Sequence, residues 1–242
     1  MAKKEILFLV GSSALPAAVR EYFARVVTGN SGSALKEGLK KNPAAQIKKI
    51  DFLLAAASGI LGVPKEEVLF VTGFNKNDMA PERFEAAMAE LRAVVFLQCE
   101  GFSGLRLIGQ AAAVSADIYG EKNGRPYVFE VCCRPRDSEL AAVDYLIDSA
   151  AAPAMPAKKA LKYLQERCRE KERQMNSSRK QHGCERCGLI IEINPRNFTA
   201  LSDEKNLKEL AEELHNSLKW PGSRHICVLG NDGVVFPEWP SV

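Results

Sequence analysis

Ser115 to Arg134 reads SADIYGEKNGRPYVFEVCCR, and the fold turns on how these twenty residues pair. Two β-type runs, Ala116 to Tyr119 and Tyr127 to Cys133, flank Glu121-Lys122-Asn123-Gly124. Asn-Gly is a strong hairpin signal because both residues accept positive φ at low cost. Asp117 falls in the first run and Glu130 in the second. Strand side chains alternate faces, so Glu130, Cys132 and Arg134 share one face while Phe129, Val131 and Cys133 share the other. An antiparallel hairpin brings Asp117 beside the Glu130 face. Two acids inside apolar runs are costly unless a cation is held there.

Toward the N-terminus of this hairpin, Asp78-Met79-Ala80-Pro81-Glu82 is a good helix start, with proline early and acids in the first turn. The helix from Glu82 to about Leu97 puts Phe84, Met88, Leu91 and Val95 on one face, and Leu105 to Ile108 follows as a strand. Beyond the hairpin, Pro135 ends the strand and Ser138 to Asp148 has helical spacing. A long helix then covers Lys158 to Met175, with Leu161, Leu164 and Cys168 as core positions. Strand Gly188 to Ile193, a helix over Asp203 to Leu218, and strands His225 to Leu229 and Val234 to Phe236 complete residues 79–242.

Residues 1–78 read as a small α/β region that packs alone or with the rest. Glu5 to Val10 (EILFLV) and Val68 to Thr72 (VLFVT) are strand-like, with helices opened by Pro16 and spanning Ile47 to Leu61. Between them Ala34 to Lys49 is basic and broken by Asn42-Pro43.

The composition is that of an ordinary globular chain: 46% hydrophobic, 26% charged, net charge +3 over 242 residues. That balance neither demands nor excludes a polyanionic partner. The charge is concentrated between Lys158 and Lys180, where nine basic residues stand against three acids. Seven cysteines without a secretory leader favour reduced thiols, and no apolar run approaches membrane-spanning length. A cytoplasmic protein with no membrane association is expected, and a homodimer is one compatible assembly.

The series helix, strand, strand with Asp, strand with Glu, helix, strand carries FEAAMAELR, a Gly-Phe, S-A-D-I and Y-V-F-E-V-x-x-R. It resembles the PD-(D/E)xK nuclease superfamily, in particular its Mrr-like restriction-endonuclease and archaeal resolvase branches, over a little under half the chain. The resemblance implies an α/β restriction-endonuclease-like core, a mixed central sheet flanked by helices, and Mg²⁺- or Mn²⁺-dependent phosphodiester hydrolysis of DNA. Matched residue by residue, Asp117 falls on the metal-binding Asp, Glu130 on the acid of the (D/E)xK element, and Glu85 on the first-helix Glu of many members. Asp117 and Glu130 become the metal ligands and Glu85 orients water or a second ion. The motif lysine falls on Cys132, which cannot present a fixed positive charge. Arg134, one pleat along, or Lys158 or Lys159 are the substitutes the sequence offers. Lys158, Lys159, Lys162, Arg167, Arg169 and Lys171 are the expected phosphate contacts.

Other chemistries have weaker support. Asp117 and Glu130 are also compatible with a solvated hairpin face, and a nuclease-like module without catalysis would bind nucleic acid or a protein partner. Gly11-Ser12-Ser13, between an expected strand and helix, would suit a nucleotide or phosphoester at the free amides of a helix start. Cys184 and Cys187 form a lone CxxC beside His182. They read as structural thiols, with Zn²⁺ the lesser alternative because a second ligand pair is missing.

Overall fold

The computed structural model describes residues 2–29, 34–108, 116–133, 157–192, 204–218, 223–230 and 233–240. The helix expected over Ser138 to Asp148 and the candidate Arg134 lie outside these. Among the described residues no helix is long and apolar enough to cross a membrane.

Helices α1 (Lys3–Gly11), α2 (Ala17–Thr28), α3 (Ala34–Lys41), α4 (Pro43–Leu61) and α5 (Pro81–Cys99) come first. The sheet strands β1 (Ser103–Leu107), β2 (Ile118–Lys122) and β3 (Arg125–Cys133) follow. Helix α6 (Ala157–Gln181), β4 (Arg186–Glu192), α7 (Glu204–Ser217), β5 (Ser223–Leu229) and β6 (Gly233–Phe236) complete the order. Contacts divide the chain into two compact units, Met1–Val95 and Phe96–Val242. The division falls inside α5, beyond the expected boundary at residue 78.

In the first unit every described element is helical, which corrects the expectation of an α/β region. Glu5 to Val10 is a helix: Ile6 and Val10, four apart, are buried, while Phe8 between them is 73% exposed. That is the period of a helix rather than a strand. The Glu5 carboxylate accepts the Ala2 amide at 3.0 Å, satisfying one of the donors that a helix start leaves over. Val68 to Thr72 contains a 3₁₀ turn, Phe70–Thr72, and adjacent Val68 and Leu69 are both buried, against the alternation of a strand. Tyr22, Phe23, Phe74 and Phe84 form the aromatic centre of this unit, with Phe23 edge-on to Phe84 at 5.7 Å.

The second unit is built on a six-stranded sheet in the order β1-β2-β3-β4-β5-β6. The first three strands form an antiparallel meander, β3, β4 and β5 run parallel, and β6 returns antiparallel. Asn123 at φ 54° and Gly124 at φ 68° make the two-residue turn that joins β2 to β3. The parallel steps from β3 to β4 and from β4 to β5 go the same way, so one handedness puts α6 and α7 on the same face. There Leu164, Cys168 and Met175 of α6 and Leu207, Leu210, Ala211 and Leu214 of α7 pack on Val128, Cys132, Leu189 and Ile226. On the opposite face Phe102, Tyr127, Phe129, His225 and Trp239 interlock. The Trp239 indole donates to Glu100 at 2.7 Å. Gly188 of β4 is needed here, because a Cβ would stand 2.6 Å from the Phe129 ring.

Candidate active site

The β2–β3 register follows from the Asn-Gly turn: Lys122 pairs with Arg125, and the ladder runs to Ile118 opposite Phe129. One step further the Asp117 amide donates to the Phe129 carbonyl at 2.9 Å. Asp117 thus sits just ahead of β2, outside the paired register, and close enough to Glu130 for its charge to act on that carboxyl. The Val131 amide donates to Asp117 Oδ2 at 2.7 Å, which orients that carboxylate.

A third residue comes from the helix covering this face. Leu164, Cys168 and Met175 are the buried stripe of α6, and Lys171 occupies the same stripe between Cys168 and Met175. Its ammonium donates to Glu130 Oε1 and also to Gln174 Oε1, the latter at 3.3 Å. Glu130 is fully buried, while the Lys171 side chain is 27% exposed and Asp117 is half-buried. Glu130 Oε2 is buried and has no hydrogen-bond partner among the described residues.

Burial, reinforced by the neighbouring Asp117 and opposed by Lys171, pushes the Glu130 carboxyl up to about 8. Burial likewise raises Asp117 against the pull of the Val131 amide and Lys171. For Lys171 burial works against the charge, but Glu130 and Asp117 outweigh it and hold the ammonium above the usual lysine value. Two acids sharing one lysine hold a single extra proton until another cation arrives. Carboxylate oxygens on two neighbouring acids, one of them an orphaned buried atom, are donors of the type that a hard divalent ion such as Mg²⁺ or Mn²⁺ takes while keeping several waters. Asp117 and Glu130 are the residues that would hold it.

The other candidates are placed as follows. Cys132, at the motif-lysine position, is 5% exposed in the α6 core; burial raises its thiol, against Arg167 and Lys171 nearby. It is a packing residue here. Glu85 belongs to the first unit, where its charge and that of Asp78 add to the burial that lifts Tyr22 to about 12. Lys158 and Lys159 lie in the first turn of α6; Lys162 and Arg169 are exposed on that helix, and Arg167 pairs with Glu170 at 2.6 Å. Lys171, expected among the phosphate contacts, is turned onto Glu130.

Cys184 and Cys187 are buried in the core beneath α6 and α7. Among the described residues no three His, Cys, Asp or Glu side chains converge as metal ligands. Gly11-Ser12-Ser13 does not follow a strand. Its amides and hydroxyls donate back to the Phe8 and Val10 carbonyls at the end of α1, so the turn lacks the free amides that a phosphate would need.

Comparison of the chain with family models, with curated proteins and with solved structures gives no match.

Proposed function

We propose that the second unit is a divalent-metal-dependent phosphodiesterase acting on DNA, with a PD-(D/E)xK-type core whose lysine comes from a helix. The observation that carries this reading is the convergence of Asp117, Glu130 and Lys171 beside β3. The order of elements supports it as well: a helix, an antiparallel three-stranded meander, a crossover helix and a strand parallel to the third. That is the arrangement the sequence resemblance implies.

In this reading Asp117 and Glu130 hold Mg²⁺ or Mn²⁺, with the Val131 amide fixing the Asp117 carboxylate. When bound, the ion polarises the scissile phosphate and lowers the pKa of an attacking water. Lys171 takes the role of the motif lysine, stabilising charge that develops on the phosphate oxygens as the new P–O bond forms and the ester bond breaks. The exposed Lys162 and Arg169 of α6 add phosphate contacts that carry no sequence preference and weaken as salt rises.

The test is cleavage of plasmid and oligonucleotide DNA with Mg²⁺ or Mn²⁺. Asp117→Ala, Glu130→Ala and Lys171→Met are each expected to lower turnover by at least about 10²-fold. Wild-type rates in all three would remove the reading. A non-catalytic nucleic-acid-binding module is the second reading, and it is favoured by one observation: Glu130 is fully buried and already paired with Lys171. Salt-sensitive DNA binding without turnover in either metal would select it.

A further inference from the structure

We infer that Lys171 is a built-in competitor of the metal ion: its ammonium holds Glu130 in the metal-free chain and is displaced toward the substrate phosphate when a divalent cation takes its place. This deepens the phosphodiesterase reading and rests on it for the identity of the ion.

Both cations would draw on the same buried carboxylate. Glu130 is fully buried, and its Oε1 is engaged by Lys171. Asp117, the other candidate ligand, lies close enough to act on both groups, with Oδ2 tied to the Val131 amide. An ammonium and a divalent ion that both approach Glu130 from the Asp117 side repel one another, and the site is dry enough for that repulsion to matter. Once that extra proton is shed, two carboxylates and one ammonium carry a net negative charge, so exchanging the ammonium for a dication improves the local balance.

Lys171 can be displaced where a rigid side chain could not. Its charge rides on a flexible four-carbon stem, and part of that side chain already reaches solvent. Gln174, one turn along α6, gives the ammonium a neutral second acceptor at 3.3 Å. Released from Glu130, the same positive charge lies beside the place where a metal-bound phosphate would lie. Metal and phosphate binding are then coupled through one residue, since the ion frees the group that the anion needs. A purely structural ion pair makes the opposite prediction: removing Lys171 would loosen the helix and weaken metal binding together.

The experiment uses the full chain and Mn²⁺ alone as the probe, with binding read by calorimetry or by the electron-spin signal of free Mn²⁺. Lys171→Met and Lys171→Gln, checked for folding by circular dichroism, are expected to bind Mn²⁺ about 10- to 100-fold more tightly than wild type, the factor corresponding to one charge-assisted hydrogen bond given up. Lys171→Arg, which keeps the charge, stays near wild type. A second measurement needs no variant: acylation of Lys171 by an N-hydroxysuccinimide ester, followed by peptide mass spectrometry, should accelerate when Mn²⁺ is added. Equal or weaker Mn²⁺ binding in the neutral variants, or an unchanged acylation rate in wild-type protein that binds Mn²⁺, overturns the competition and leaves the phosphodiesterase reading standing. Failure of every folded form to bind Mn²⁺ overturns both.

Discussion

Glu130 and His225 are buried on opposite faces of the sheet and pull the pH dependence of stability in opposite directions. Burial raises Glu130 from 4.5 to about 8, so its folded form resists ionisation. The stability associated with the proton it retains is fully present below about pH 4.5 and is lost as pH rises toward 8. Glu130→Gln cannot ionise, and its melting temperature is expected to exceed that of metal-free wild type at pH 8, by about 2–4 °C per kcal/mol of ionisation cost removed. Scanning calorimetry of both proteins at a series of pH values checks this; parallel profiles would contradict it. His225 is held neutral instead, because burial lowers its pKa even though its ring bonds the Pro237 carbonyl at 2.8 Å. Its contribution is present above pH 6.5 and is lost as pH falls through the lowered folded value. His225→Phe should therefore flatten the acid limb of the same profile while leaving its alkaline side unchanged.

Among the elements, the β2–β3 hairpin was the most legible, and for a local reason. Asn-Gly fixes the turn, the turn fixes the register as far as Ile118 opposite Phe129, and Asp117 precedes that pair, all within a short span of chain. Helix α6 was legible as a helix, but its key residue was hidden in its charge. Lys171 carries the charge of a phosphate contact, although its place in the stripe Leu164-Cys168-Lys171-Met175 marks it as inward-facing. A lysine at a core position of an amphipathic helix was the signal that could have identified it. The first two strand assignments failed because short apolar runs such as ILFLV carry no decisive period: only burial of Ile6 and Val10 around an exposed Phe8 separates helix from strand. The tight approach of β4 to Phe129 was invisible for a different reason, since it depends on a partner distant in sequence. It can be tested directly. Gly188→Ala forces a Cβ to 2.6 Å from a ring already packed against Phe102, Tyr127 and Trp239, and should cost about 1–3 kcal/mol in urea unfolding.

Across the whole molecule, the two compact units each carry a separate aromatic core: Tyr22, Phe23, Phe74 and Phe84 in one, Phe102, Tyr127, Phe129 and Trp239 in the other. Separate cores predict separable unfolding. Phe23→Ala should destabilise the first unit by about 3–5 kcal/mol and leave the transition of the second in place, whereas Phe102→Ala should do the reverse. Calorimetry resolves the two transitions, and a single shared transition shifted equally by both substitutions would refute the division. The contact between Trp239 and Glu100 has a practical consequence of the same kind. The indole lies 4.4 Å from the His225 ring and 4.9 Å from Phe102, so residues from opposite ends of this unit's sequence complete one interior. Shortening the chain to end at Glu238 would look like trimming a tail, yet it would hollow out the back of the strand that presents Glu130.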